Sequence, residues 1–418
     1  MELRERIRRF EPQMIADRRW LHEHPELSGH EIQTMQYVMD ALKALKLDVC
    51  VVPDGGVIGV LQTEKEGPCV LMRADMDALP VQESENNLFR PRCCISAAPG
   101  VMHACGHDAH MAMLLCAARI LVEMRDEIQG SVLFVFERGE EKGGKGFLKH
   151  LLPYIEENFS VDVCCATHVR WDIQAGKAAI LAGAAMAGGF GFDVKITGRG
   201  GHGSRPDMAC SPIDCFAAIH QQLSALRMRT VAPDQVLTYS LGVVQAGEQA
   251  NVIPQSLRFA GTVRTFDTAG SGERFAEAAK TIIDQTCAAH GCGYELTHFS
   301  APLYEVYNYP AAAQHARRAI QAALGADVLT DAAPWMASET MSAYLKLWPG
   351  VLMFTGIRNE EAGCGASHHT AEFDVDESAM AAGTGAMLAY VLDVLREKPD
   401  YGFSRNIISI GDLVHRSI

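Results

Sequence analysis

The stretch from Met102 to His110, with the sequence MHACGHDAH, constrains the fold and chemistry of this chain more than any other segment. It places three histidines, one cysteine and one aspartate close together. If the segment is extended, the side chains of His103, Cys105 and His107 point to one side, because successive residues of a strand alternate sides. A thiolate and imidazoles on one face suit zinc or a neighbouring first-row metal. The alternative is a loop whose histidines only cap the helix that follows.

Composition and charge narrow the class of protein. The 418 residues suffice for more than one domain, and the formal net charge of -14 argues against nucleic acid or an anionic membrane as a partner. The longest apolar run, 111–124, is too short to span a bilayer. The first residues lack the apolar core of a signal peptide, and an odd number of cysteines, 13, does not resemble a disulfide framework. We therefore expect a cytoplasmic protein with mostly reduced cysteines.

Three predicted buried strands share one feature, which is that polar side chains follow directly after each of them. The strands and their polar residues are 69–72 with Asp75 and Asp77, 131–136 with Glu140 and Glu141, and 163–167 with His168. Because open α/β sheets place ligands at the carboxyl ends of their strands, we expect these residues to line one site. The plainer alternatives are that the aspartates cap a turn and that the glutamates belong to a solvated charge run.

The pattern around these strands predicts an α/β core with a second domain inserted into it. From about Gly188 the expected order is strand, helix, strand, strand, helix, strand, which is a compact ferredoxin-like α+β unit. Its second element is a helix that opens at Ser211-Pro212, with an N-cap and a proline in the first turn. The predicted domains are therefore 1–185 with 301–418, and an inserted unit at 186–300. The pair His368-His369 is expected on a loop of the core.

The candidate donors outnumber the ligands of one tetrahedral structural zinc. They are Cys105, His107, Glu141, His168 and one of His368 or His369. Two metals sharing a bridging ligand are the natural interpretation. One thiolate, one carboxylate and three neutral imidazoles carry less charge than two divalent cations, so the centre stays positive and can acidify a water and polarise a carbonyl. Glu140 is then placed to take the proton of that water and pass it to a leaving amine.

Ten short motifs occur in order along almost the whole chain. They are RRWLHEHPELSGHE, RADMDALPVQE, PGVMHACGHDAH, GEE, THV, GRGGHGSRP, NVIP, GTVRTFD, SET and HHTAEFD. In this series the chain resembles the aminoacylase and carboxypeptidase-G-like metallopeptidase superfamily. The resemblance is to the subgroup of bacterial N-acyl-amino-acid amidohydrolases, hippurate hydrolases and plant auxin-conjugate hydrolases. It implies a zinc-peptidase-like catalytic domain, with helices around a mixed central sheet, and an inserted lid and dimerisation domain.

The resemblance also implies roles for individual residues. The implied metal ligands are Cys105, His107, Glu141, His168 and His369, which favours His369 over His368. They would hold two divalent ions, with zinc or manganese favoured and cobalt or nickel as alternatives. Glu140 is implied as general acid/base and Asp77 as a support of the centre. His202 is implied to reach the active site of the partner subunit in a homodimer and to steady the oxyanion, while Asn251 and Arg264 would hold the substrate carboxylate.

Three departures from the family pattern lie close to the expected pocket. Arg138-Gly139 stands where relatives usually have Pro-Ala, Glu339-Thr340-Met341 where they often have Glu-Asp-Phe, and Asp207 where a histidine is common. None of them removes an implied ligand. They therefore leave the substrate open but not the reaction class.

The favoured function is hydrolysis of the amide of N-acyl or N-aroyl amino acids, which gives a carboxylic acid and a free amino acid. A dipeptidase on the same machinery is the nearest alternative and would need an acidic group for the free amino group of its substrate. A third hypothesis makes Cys105 a thiol nucleophile activated by His107, but it leaves the other donors without a role. A non-catalytic binding protein is the fourth, and the presence of Glu140 beside a full ligand set argues against it.

Overall fold

The computed structural model describes residues 2–142, 147–405 and 409–416. The chain divides into two compact units. The first unit consists of Met1–Ala185, Tyr307–Pro334 and Thr340–Ile418, and the second of Met186–Val306 and Trp335–Glu339.

Helices and strands follow one another along most of the described part of the chain. The α-helices are α1 (Leu3–Glu23), α2 (Ile32–Ala44), α3 (His107–Glu123), α4 (Leu148–Asn158), α5 (Pro212–Thr230), α6 (Glu273–Ala289), α7 (Pro310–Leu324), α8 (Met341–Leu347), α9 (Met380–Glu397) and α10 (Ile410–Arg416). The strands are β1 (Asp48–Val52), β2 (Gly56–Gln62), β3 (Cys69–Asp75), β4 (Ser131–Glu137), β5 (Val163–Gln174), β6 (Ala178–Ala179), β7 (Gly183–Met186), β8 (Gly188–Thr197), β9 (Gly201–His202), β10 (Leu237–Ala246), β11 (Val252–Ile253), β12 (Ser256–Thr265), β13 (Gly293–Phe299), β14 (Val306–Asn308), β15 (Leu329–Thr330) and β16 (Gly350–Arg358).

The first unit is built around an eight-stranded sheet with the order β1-β2-β4-β3-β5-β16-β6-β15. Its central strands β4, β3, β5 and β16 are parallel, whereas β1 and β2 join the sheet antiparallel. The central strands are buried almost throughout, which is why they read as continuous apolar runs rather than as alternating patterns. This mixed sheet among helices confirms the predicted α/β class.

The apolar run at 111–124 lies within α3, a core helix. Residues 107–118 of this helix are all buried, and α3 packs against α1 and α9. Among the described residues, one helix, Glu377–Glu397, is long and apolar enough to cross a membrane. Of its most apolar window, 72% is buried inside the structure, and core helices pass the same test.

Two local features of this unit differ from the interpretation of the sequence. The segment 102–106, for which the sequence allows an extended backbone or a loop, is not extended, because Gly106 adopts a left-handed conformation with φ 89° and His107 begins α3. A side chain at Gly106 would meet Val169 at 2.4 Å, so both the turn and the close packing there require glycine. His168 does not lie at a strand end either, since β5 continues beyond it to Gln174. Pairing of β5 with β16 extends the strand past the predicted end at residue 167.

The second unit contains a four-stranded antiparallel sheet with the order β10-β12-β8-β13. Along the chain, β8, α5, β10, β12, α6 and β13 follow one another in the ferredoxin-like order. Alternate residues of β8 (Phe190, Phe192, Val194 and Ile196) are buried against α5 and α6. As predicted, Ser211 caps α5, where its Oγ accepts a hydrogen bond from Asp214 N at 3.2 Å. The role of this unit as a lid or dimerisation domain stays a prediction.

Candidate metal centre

The structure brings all five predicted metal ligands into one cluster of the first unit. The ligand atoms of Cys105, His107 and His168 lie within 4.8 Å of one another, and so do those of Cys105, Glu141 and His369. His107 Nε2 is 3.7 Å from Glu141 Oε1, which in turn is 3.5 Å from His369 Nε2. Because Cys105 belongs to both groups, the cluster resembles two adjacent subsites with a shared ligand.

Each ligand is presented by a different local structure. His107 is the first residue of α3, His168 lies in β5, and Glu141 is in the short 3-10 turn Glu140–Lys142 after β4. His369 has a positive φ of 64° in a tight turn. Its backbone N–H donates to Ala104 O at 2.9 Å, which fixes the turn against the segment that carries Cys105.

Two of the imidazoles are oriented as in metal sites. His107 Nδ1 donates to Asp77 O at 2.8 Å, and His168 Nδ1 donates to Val169 O at 2.7 Å. A backbone carbonyl can only accept, so in each ring Nδ1 carries a proton, and Nε2 is the nitrogen left to bind a metal when the ring is neutral. Metal-bound histidines usually have such a partner on the second nitrogen. The site therefore presents two preoriented Nε2 atoms.

Unsatisfied buried atoms support the same interpretation. Within the described part of the chain, His107 Nε2 and Glu141 Oε1 are buried and have no hydrogen-bond partner. Buried polar atoms are nearly always satisfied by protein, water or an ion. Cations between these facing atoms would satisfy both, so the residues present fit bound metal.

The buried environment shifts the pKa values of the donors. Burial, and then the neighbouring His110 and His368, hold the pKa of His168 well below its usual range, so the imidazole is neutral. Burial and then the charge of Glu141 raise the pKa of the Cys105 thiol well above its ordinary value. A bound divalent cation reverses the preference of such a thiol, because a thiol that coordinates the cation loses its proton and binds as the thiolate.

Asp77 organises the backbone of the paired glutamates. Its Oδ1 accepts a hydrogen bond from Glu140 N at 3.1 Å, its Oδ2 accepts one from Glu141 N at 3.0 Å, and Ser28 Oγ also donates to it. Burial acts to raise the pKa of Asp77, but its hydrogen bonds with His107 and Ser28 outweigh burial and lower the pKa. The aspartate does cap a turn, as the plainer alternative held, and this turn carries Glu140 and Glu141.

The Glu140 side chain is held by a hydrogen bond from the backbone of Thr340, which belongs to one of the departures from the family pattern. Glu140 is buried, and its Oε1 accepts a hydrogen bond from Thr340 N at 3.1 Å. Thr340 Oγ1 in turn donates to Glu137 Oε1 at 2.7 Å, and Arg73 Nη2 donates to Thr340 Oγ1 at 2.7 Å. The hydroxyl at position 340 therefore belongs to a buried polar network behind Glu140.

The residues of a second departure, Arg138-Gly139, both form hydrogen bonds with Glu31. The carboxylate of Glu31 accepts from Arg138 Nε at 3.0 Å and from Gly139 N at 2.8 Å. Gly139 has a φ of 70°, and a Cβ there would lie 2.2 Å from the ring of Phe147. Glycine is therefore required at this position of this chain. The third departure, Asp207, forms an exposed ion pair with Arg205 in the second unit.

His110 has buried partners that the sequence pattern did not predict. His110 Nδ1 donates to Asp75 Oδ1 at 2.7 Å, and His110 Nε2 accepts from Val169 N at 2.9 Å. His107 and His110 are three residues apart, a spacing that puts both side chains on one face of a helix, but the sequence does not show that α3 begins at His107. His103 is buried, and burial lowers its pKa to about 4.

The remaining predicted site residues lie in the second unit. His202 in β9 pairs with Val252 in β11, which puts it beside Asn251, whose carbonyl accepts from Gly203 N at 2.8 Å. His202 is exposed, and its Nδ1 accepts a hydrogen bond from Ser204 N. Arg264 lies in β12, and burial lowers the pKa of its guanidinium. The roles of these three residues stay predictions.

Comparison with known proteins identifies the family. Residues 71–393 match the sequence profile of peptidase family M20/M25/M40. Thermostable carboxypeptidase 2 of Saccharolobus solfataricus is 32% identical over 390 residues, which are 91% of this chain and 95% of the relative. The N-acyl-L-amino acid amidohydrolase of Geobacillus stearothermophilus is 35% identical over 309 residues, 74% of this chain and 81% of the relative.

A solved structure agrees with the sequence relatives. The YXEP protein of Bacillus subtilis, described as a dinuclear metal binding peptidase of the M20 family, superposes with a TM-score of 0.77 and 28% identity. The match covers 93% of this chain and 99% of that protein. This chain therefore belongs to peptidase family M20/M25/M40 and is a hydrolase of that family.

Proposed function

We propose that the protein is a metal-dependent amidohydrolase that cleaves the amide bond of N-acyl or N-aroyl amino acids, giving a carboxylic acid and a free amino acid. The observation that carries the proposal is the convergence of Cys105, His107, Glu141, His168 and His369 beside the buried carboxylate of Glu140. The amidohydrolase relative from Geobacillus stearothermophilus supports this substrate class.

We further propose that the five donors hold two divalent metal ions, with zinc or manganese favoured, as the family resemblance implies, and cobalt or nickel as alternatives. The dinuclear metal binding peptidase from Bacillus subtilis supports the number. When bound, the ions supply a Lewis acid for the amide carbonyl and lower the pKa of a water molecule.

Glu140 is the proposed general acid/base. Its carboxylate takes a proton from the water that attacks the carbonyl carbon, and gives it to the amide nitrogen as the C–N bond breaks. Thr340 N holds one carboxylate oxygen at 3.1 Å, and Asp77 holds the backbone of Glu140, so the proton acceptor is preoriented. Asp77 is thus a proposed positioning residue.

Three residues of the second unit complete the proposal. Arg264 and Asn251 are proposed to bind the substrate carboxylate, since a guanidinium can form two parallel hydrogen bonds with it. His202 is proposed to donate a hydrogen bond to the developing oxyanion in the active site of the partner subunit of a homodimer. We place the protein in the cytoplasm, which its 13 free thiols support.

A peptidase is the second candidate, because a carboxypeptidase is among the relatives at 32% identity. The two candidates differ in whether the substrate carries a free amino group. The test is a panel of N-acyl amino acids, N-aroyl amino acids and dipeptides that share one C-terminal residue, with both products identified. We expect a higher kcat/KM for the acylated substrates. A higher kcat/KM for the dipeptides would overturn the amidohydrolase proposal in favour of a dipeptidase.

A further inference from the structure

All four cysteines of the second unit lie at one end of that unit. In the sequence they form two pairs with the same spacing, Cys210-x4-Cys215 and Cys287-x4-Cys292. Two cysteines with two to four residues between them are common in structural zinc sites. The centre described above uses none of them.

The two buried cysteines of this group join α5 to α6. Cys215 lies in the first turn of α5 and Cys287 in the last turn of α6, and the two helices pack against each other. Their sulfur atoms are 3.7 Å apart. Two ligands of a tetrahedral zinc with Zn–S bonds of about 2.3 Å are separated by about 3.8 Å. The distance between Cys215 Sγ and Cys287 Sγ therefore matches one edge of such a tetrahedron.

The other two cysteines lie beside this pair and nearer the surface. Cys292 follows α6, its N–H donates to Cys287 O at 2.9 Å, and its thiol is in hydrogen-bond contact with that of Cys215. Cys292 Sγ is 4.0 Å from Cys210 O. Cys210 Sγ packs against Gly291, where a Cβ would be 3.2 Å away. Cys210 and Cys292 are partly exposed, which gives a cation a route from solvent.

The thiols raise the cost of ionisation for one another. Burial and then the charge of Cys287 raise the pKa of Cys215 to about 12, and burial and then Cys215 raise that of Cys292 to about 11. Thiols this close repel one another as thiolates, unless a cation lies among them. A thiophilic divalent cation removes the repulsion and makes deprotonation favourable.

We propose that Cys210, Cys215, Cys287 and Cys292 form a structural site for one zinc ion. Binding releases the thiol protons to solvent and replaces weak S–H contacts with metal–sulfur bonds. The ion would cross-link the start of α5 to the end of α6 and to the turn before β13. This role needs no open coordination position, which separates it from the proposed catalytic ions.

The test compares the full chain with Cys210→Ser/Cys292→Ser. These two cysteines are partly exposed, so serine removes two ligands without opening a core cavity. Cys50→Ser, which also changes a partly exposed cysteine but in the first unit, is the matched control. After zinc loading and dialysis, the wild-type chain and the control should each hold about one zinc more than the double variant. Cadmium loading should give sulfur-to-cadmium charge-transfer absorbance that the double variant largely loses.

Hydrolytic activity provides a separate readout. The double variant should keep its activity, because its catalytic donors are intact, while its melting temperature falls. Equal zinc content in wild type and double variant would overturn the proposal, whatever the activity. A thiol titration that finds a Cys215–Cys287 disulfide would also overturn it. So would a titration in which Cys210, Cys215, Cys287 and Cys292 all still react in the zinc-loaded chain. A zinc difference without measurable hydrolysis would leave this site standing and count against the proposed function alone.

Discussion

At the scale of single residues, Glu140 and Glu141 are neighbours with different surroundings. Glu140 Oε1 is held by Thr340 N, whereas Glu141 Oε1 faces His107 and His369 without a hydrogen-bond partner among the described residues. We therefore predict that Glu140→Gln retains metal but lowers kcat by roughly two to four orders of magnitude, the usual contribution of a positioned general acid/base.

Glu141→Gln is the matched control for this prediction, since it makes the same chemical change one residue away. It removes an anionic ligand and should lower metal occupancy. Elemental analysis and turnover, measured on both variants, separate the two roles. If Glu140→Gln lost metal and Glu141→Gln retained it, the two assignments would have to be exchanged.

Arg264 provides a second test at this scale. Arg264→Lys keeps the positive charge but loses the two parallel hydrogen bonds that a guanidinium can make. We expect KM to rise for substrates with a free carboxylate and to change little for their neutral amide analogues. Equal losses with both kinds of substrate would show that Arg264 is structural.

At the scale of secondary structure, α1 is tied to α3 through a buried ion network. Arg18 is almost fully buried, and its Nε donates to Asp108 Oδ2 at 2.8 Å. Burial acts against ionisation of Asp108, but Arg18 and then His22 outweigh it and hold its pKa below the usual value. A carboxylate with a lowered pKa stabilises the fold fully above its unfolded pKa of about 3.9, and that stability is lost as the pH falls through the folded pKa.

We predict that Arg18→Met lowers the free energy of unfolding by about 3–5 kcal/mol, because it removes the buried guanidinium that contributes most to holding Asp108 ionised. Arg19→Met is the control, since Arg19 forms an exposed pair with Glu377 and should cost at most about 1 kcal/mol. Urea unfolding of both variants at neutral pH checks the difference. Similar losses for the two would mean that the buried pair contributes no more than a surface one.

Some of these strands and turns could be predicted from the sequence, and others could not. Strands such as β3 and β4 were predictable because strands buried on both faces form continuous apolar runs bounded by polar residues. The turn at Gly106 was not predictable, because a glycine in a segment rich in histidine and cysteine is compatible with both an extended and a left-handed backbone. The Asp77 bonds to Glu140 N and Glu141 N join residues more than 60 positions apart. Such long-range contacts leave no local pattern.

At the scale of the whole molecule, the proposed homodimer makes a test of shared active sites possible. Glu140→Gln and His202→Ala should each be inactive alone. If His202 serves the partner subunit, a mixed dimer of the two variants has one site with both defects and one site with none. Activity should then reappear after the two proteins are mixed under conditions that exchange subunits.

The matched control for the mixing experiment is Glu140→Gln with Glu141→Gln. Each of these changes damages the site of its own subunit, so both sites of a mixed dimer are damaged and it should stay inactive. If subunit exchange is demonstrated and the His202→Ala mixture also stays inactive, His202 acts in its own subunit or not in catalysis at all.

The most direct measurement of the central claim is hydrolysis of an N-acyl amino acid by the full chain before chelation, after thorough chelation and after metal is restored. We predict that chelation abolishes the reaction and that zinc, manganese or cobalt restores it, because the donor set around Cys105 and Glu141 is built to hold cations. Activity that survives chelation but is lost to a thiol alkylator would contradict the account. It would make Cys105 a nucleophile rather than a ligand.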